Sequence, residues 1–177
     1  MTNPFSTEAL VPNWTTASEI LKGDVEGHPF HGNQYTHHLE VAQYVANNPG
    51  EYEYDSQRLL DAANFSANHA EDAKLSSSHL RAIAALHQAL ADAHHATSEQ
   101  VYDDGEGGDI YHHNDQHEAA GKAHQKVADY ANTVADNLDS GRGASILALP
   151  ALRGLVDEAK SASKEAEISM RPKRYEP

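Results

Sequence analysis

Apolar and small residues recur through the middle of the chain at alternating spacings of three and four. The first run is Leu80, Ile83, His87, Leu90, His94, Thr97 and Val101; the second is His113, His117, Ala120, His124, Val127, Ala131, Val134 and Leu138. This spacing keeps one stripe of an α-helix against a partner helix. Between the runs lies Asp103-Asp104-Gly105-Glu106-Gly107-Gly108, whose glycines let the chain fold back. A hairpin closed there predicts antiparallel layers: Leu80 with Ala131, Ile83 with Val127, His87 with His124, Leu90 with Ala120, and His94 with His117. Histidine then faces histidine in two layers of one seam.

The flanking sequence supplies further helices. Thr16-Ala17-Ser18-Glu19 is a capping box for a short helix through Leu21. Thr36 can cap a helix to about Asn47, which Asn48-Pro49-Gly50 ends. Glu51 to Tyr54 reads as an aromatic-acidic link. A helix from Asp55 or Ser56 to about Leu75 places Leu59, Ala63, Ser66, Ala70 and Ala73 inward, with Phe65 beside His69. Ser76 to Ser78 cap the first arm of the hairpin. After the Ser140-Gly141-Arg142-Gly143 break, a last helix beginning near Pro150 carries Ile146, Leu149, Leu152, Leu155, Val156, Ala159 and Ala162 as its stripe. The predicted fold is all-α, an antiparallel helical bundle of four to five helices with extended N- and C-terminal arms. Residues 1–35 form the arm and a Gly/Pro loop, 36–168 the bundle, and 169–177 a tail with Arg171, Lys173 and Arg174 clustered.

Charge narrows the partners. Thirteen basic residues against 27 acidic ones give a formal charge of −14. That is the wrong sign for a nucleic-acid surface and for anionic lipid. Cysteine is absent, which removes disulfides, thiol nucleophiles and Cys-type zinc sites. No apolar run approaches the roughly 20 residues of a membrane span, and the start lacks the pattern of a signal peptide. The chain reads as soluble and made in the cytosol. Much of the apolar content is alanine, which allows close helix approach but buries little area. The core is expected to be thin, and partner surfaces, other copies of the chain included, can add to it. No phosphate-binding glycine loop or nucleophile elbow is present, and the acidic link lacks the spacing of a calcium loop. No enzyme and no cofactor are expected.

Thirteen histidines are the remaining chemistry. His87, His94, His117 and His124 in an alanine-lined seam act as buried polar fillers, each imidazole donating to or accepting from the one opposite. Facing histidines repel once both are charged, so the seam is also a candidate pH-sensitive contact. The alternative is metal: His95 and Glu99, then His113 and His117, are each four apart on a helix. Their order is similar to the His-x-x-x-Glu and His-x-x-x-His of hemerythrin-like bundles, but the His-x-x-x-x-Asp such a site needs on its last helix is missing.

The strongest functional sign lies in Gly23 to Thr36. Three glycines, a proline and an Asn beside Gly argue against regular helix there, while Phe30 and Tyr35 are rings that something must hold. Gly27-His28-Pro29-Phe30-His31-Gly32-Asn33-Gln34-Tyr35 resembles a short motif, Gly-His-Pro-Phe-x-Gly-Asn-Gln followed by an aromatic, of head-associated proteins in tailed bacteriophages of actinobacteria. The resemblance covers about fourteen residues. It implies a structural component of a virion, a minor capsid or capsid-associated protein made in the host cytoplasm. Its partners would be capsid or other head proteins of the same phage. The binding residues would be Gly27, His28, Pro29, Phe30, Gly32, Asn33, Gln34 and Tyr35, with Phe30 and Tyr35 as anchors. Competing readings are a His-rich metal-binding bundle and a scaffolding or chaperone-like protein of head assembly.

Overall fold

A computed structural model describes residues 32–50, 52–70, 73, 75–103, 106–107 and 109–170. Residues 1–31 of the expected arm, with Gly27, His28, Pro29, Phe30 and the helix expected after Thr16, and residues 171–177 of the expected tail lie outside these residues, whereas Ser169 and Met170, expected in the tail, end the last helix. Among the described residues the chain is an all-α bundle: α1 (Gly32–Asn47), α2 (Tyr52–Ala70), α3 (Ser77–Ser98), α4 (Asp115–Asp139) and α5 (Ala148–Met170). A two-stranded antiparallel ribbon, β1 (Glu99–Asp103) and β2 (Asp109–His113), joins α3 to α4.

Interhelical bonds fix the directions. Asn114, capping α4, reaches Ser169 and Met170 at the end of α5. Arg153 near the start of α5 donates to the Ala70 carbonyl at the end of α2. The helices therefore alternate up and down. Around the bundle the neighbours run α1, α3, α4, α5, α2, with the α3–α4 contact the most extensive.

Helix α3 is buried on nearly all sides. Leu80, Ile83, Leu86 and Leu90 are buried together with Ala82, Ala84, Ala89, Ala91 and Ala93. A helix apolar around its circumference is enclosed by its neighbours, and alanine lets both α1 and α4 approach it closely. Leu39, Val45, Leu59, Val127, Leu152 and Val156 complete the core around it. Ser76 caps α3 by accepting from the His79 amide, as its position predicts.

Four expectations about the elements are corrected. Helix α1 begins at Gly32, so Gly32 to Tyr35 are its first turn and not loop, and Thr36 is buried inside the helix instead of capping it. Tertiary anchoring through Tyr35 overrides the low helix propensity of Gly and Asn there. Helix α2 takes in Tyr52 to Tyr54 and ends at Ala70. Ile146 is 92% exposed and precedes α5, leaving Leu152, Val156, Ala159 and Ser163 as the buried stripe. The link between the hairpin arms is a ribbon. The β-favouring Val101-Tyr102 and Ile110-Tyr111 pair across it, and Gly107 at φ +88° sits in its turn.

Candidate functional site: a buried histidine–serine chain

The antiparallel register of α3 and α4 brings the seam histidines together in pairs. His87 Nδ1 lies 2.9 Å from His124 Nδ1, and His94 Nδ1 lies 2.9 Å from His117 Nδ1. All four rings have zero exposure. The two pairs also touch, since His94 and His124 stack with centroids 5.3 Å apart and planes 11° off parallel.

Each outer nitrogen finds a serine. His87 Nε2 meets Ser66 Oγ at 2.7 Å, and His117 Nε2 meets Ser56 Oγ at 2.8 Å, both from α2. Ser163 on α5 joins the halves: its Oγ lies 2.7 Å from His124 Nε2 and 2.9 Å from His94 Nε2. The result is one unbroken sequence of contacts, Ser66–His87–His124–Ser163–His94–His117–Ser56, with Ser163 at its middle. It crosses four helices, so sliding any one of them by a turn would leave buried nitrogens without partners. Unpaired buried polar groups cost about 1–3 kcal/mol each, which makes the chain a strong constraint on register.

Burial determines the charge state. It pushes His87 down to about 3 and His117 to about 4. Burial also holds His94 and His124 well below the usual imidazole range, with neighbouring imidazoles adding to the effect. The rings are neutral at pH 7. An unfolded imidazole protonates near 6.5. The unfolded chain therefore binds more protons below that value, and the stability these rings contribute is complete at neutral pH. It is lost as pH falls from about 6.5 through the folded values.

The hydroxyls were the harder half to foresee. Ser66 is an expected inward position. Ser56 and Ser163 lie outside the residues expected in the site, yet both sit on seams: Ser56, Leu59, Ala63, Ser66, Ala70 on α2 and Leu152, Val156, Ala159, Ser163 on α5 keep the three-four spacing. A serine at a seam position level with a histidine is the signal that finds them.

The alternative metal set is split: Glu99 and His113 are register partners across the ribbon, but among the described residues no three of the four bring ligand atoms together. Helix α3 ends at Ser98, so Glu99 lies in β1 and does not share a helical face with His95. Asn114 caps α4, so His113 ends β2 and is likewise separated from His117. His117 has both ring nitrogens within the buried chain, and exposed His95 lies over Gly121. His113 instead meets Asp115 and Glu118 at 3.2 and 2.9 Å on the surface. Lys122 and His113 hydrogen-bond Glu118 and hold its carboxyl below the usual range. Carboxylates in the first turn of α4 are favoured by the helix dipole without any ion.

The expected partner-binding motif divides. Tyr35 is 1% exposed, its hydroxyl donates to the Ala82 carbonyl on α3, and its ring meets Phe65 edge-on at 6.0 Å. It anchors this chain's own core and offers no surface to a partner; burial pushes its hydroxyl pKa well up. Gln34 is exposed, and Gly32 and Asn33 belong to the first turn of α1.

The fold and site thus define a histidine-cored, all-α helical bundle. No protein family, curated protein or solved structure matches the chain. Among the described residues no helix is long and apolar enough to cross a membrane.

Proposed function

We propose that this chain is a structural component of a tailed-bacteriophage virion, a minor capsid or capsid-associated protein that acts through contacts with other head proteins. The reading assigns it no catalytic residue and no cofactor. One observation carries it. The last residue of the phage-like motif, Tyr35, is bolted to the backbone of the central helix through Ala82. The preceding Gly27-His28-Pro29-Phe30 is thereby attached to a fixed point of the bundle. Fixing one end of an attachment segment reduces the freedom that is lost when a partner binds. The acidic surface also suits protein partners better than nucleic acid.

Particle incorporation tests the reading. Phe30→Ala should leave helicity and melting unchanged and reduce incorporation into purified virions at least tenfold, since one aromatic anchor is worth about 2 kcal/mol or more. Tyr35→Ala should lower the melting temperature by several degrees through loss of core packing. Mass spectrometry that finds the wild-type chain in immature heads and not in virions would overturn the reading in favour of an assembly factor.

A further inference from the structure

The six contacts of the buried chain each hold one proton when the chain is complete. Four neutral imidazoles bring one N–H each and Ser163 one O–H. Those five fill all but one contact, and the hydroxyl of Ser56 or Ser66 fills the last. Neutral chains can therefore run in either sense, and reversing one ring's tautomer reverses its neighbours'.

Added protons are limited by the same count. The first fits when both outer serines accept and turn their own hydroxyls away. A second fits when Ser163 also turns its hydroxyl away and accepts from both His94 and His124. Each imidazole pair then holds three protons in its three contacts, two to serine and one between the rings. A further proton must set two N–H groups face to face across 2.9 Å. That contact has no acceptor, and the two charged rings repel in a fully buried site.

We infer that the buried chain is an acid latch: it stores at most one proton per imidazole pair while the bundle stays closed, and the next proton drives α3 and α4 apart. The inference does not depend on the virion reading. Other titratable or charged groups lie on each of the five helices. Half-buried His38 belongs to α1, and α2 brings buried Asp55 beside Ser56, with Arg58 one turn on. Buried Arg81 and exposed His95 lie on α3, and Glu118 and Lys122 on the first turns of α4. Helix α5 adds buried Glu167 one turn from Ser163, with Lys160 and Lys164 on either side of the serine. Asp55 and Glu167 are carboxylates buried on the serine-bearing helices, so their titration must be separated from that of the rings.

The test is an acid titration of the full chain labelled with ¹⁵N-histidine, followed by ring nitrogen shifts and by circular dichroism. The latch predicts that both rings of a pair shift together, that the closed bundle takes up one proton per pair, and that helicity is then lost in one step. Asp55→Asn and Glu167→Gln should leave the opening pH within about 0.3 units. His94→Leu with His117→Leu should lower it by about one unit or more, because those rings no longer take up protons on opening. A pair carrying two full charges with helicity intact overturns the latch, as does an opening pH that follows the carboxylate variants. If the double variant does not fold, the wild-type ring shifts decide alone.

Discussion

The α3–α4 seam has two halves built on one spacing and two chemistries. In the lower half Leu80, Ile83, Val127 and Ala131 meet as apolar layers, closed by buried Arg81, which donates to Asn132 and pairs with Asp136 and Asp139 on α4. In the upper half Leu90 and Ala120 sit between two histidine layers whose every ring nitrogen has a partner. The apolar half stabilises by area removed from water and tolerates any packing of similar volume. The histidine half has little to gain from area and much to lose from a missing partner, so it acts on register more than on stability.

Substitutions should separate these two modes. The largest effect belongs to the apolar half: Ile83→Ala should cost about 2–5 kcal/mol in urea unfolding, the transfer of three carbons plus a cavity that α3 cannot close. A single histidine comes next. His94→Leu leaves His117 Nδ1 without its partner and Ser163 with one ring instead of two, costing about 1–3 kcal/mol. Adding His117→Leu should recover most of that loss, because both members of the bond are then gone. A double variant as damaged as the sum of its singles would mean that the rings pack and do not pair. The smallest effect is expected at the exposed histidine. A Cβ at Gly121 would lie 2.8–2.9 Å from the His95 ring, which can swing into solvent. Gly121→Ala should therefore raise stability slightly, by up to about 1 kcal/mol, from helix propensity. A loss there would show that His95 is held in place.

The layer pairing was legible in the sequence because an alternating three-four spacing on two arms leaves few antiparallel registers that bury every apolar position. What escaped it depended on distant contacts. Gly32 and Asn33 read as breakers, yet Tyr35 reaches across to Ala82, 47 residues away, and holds the first turn of α1 in helix. The ribbon was hidden because Val101, four residues after Thr97, continues the seam spacing past the real end of α3 at Ser98. Ser163 looks like one more small residue on a helix stripe until α5 is docked against both histidine pairs. Its role exists only in the assembled bundle.

The central claim is that four buried neutral imidazoles are joined to one another and to three serines. It is tested most directly by nuclear magnetic resonance of ¹⁵N-histidine-labelled protein at pH 7. The structure predicts scalar coupling across the hydrogen bond between His87 Nδ1 and His124 Nδ1, the same between His94 Nδ1 and His117 Nδ1, and ring shifts unchanged as pH is lowered from 7 to 6. Four uncoupled rings that titrate near 6.5 in the folded protein would contradict it.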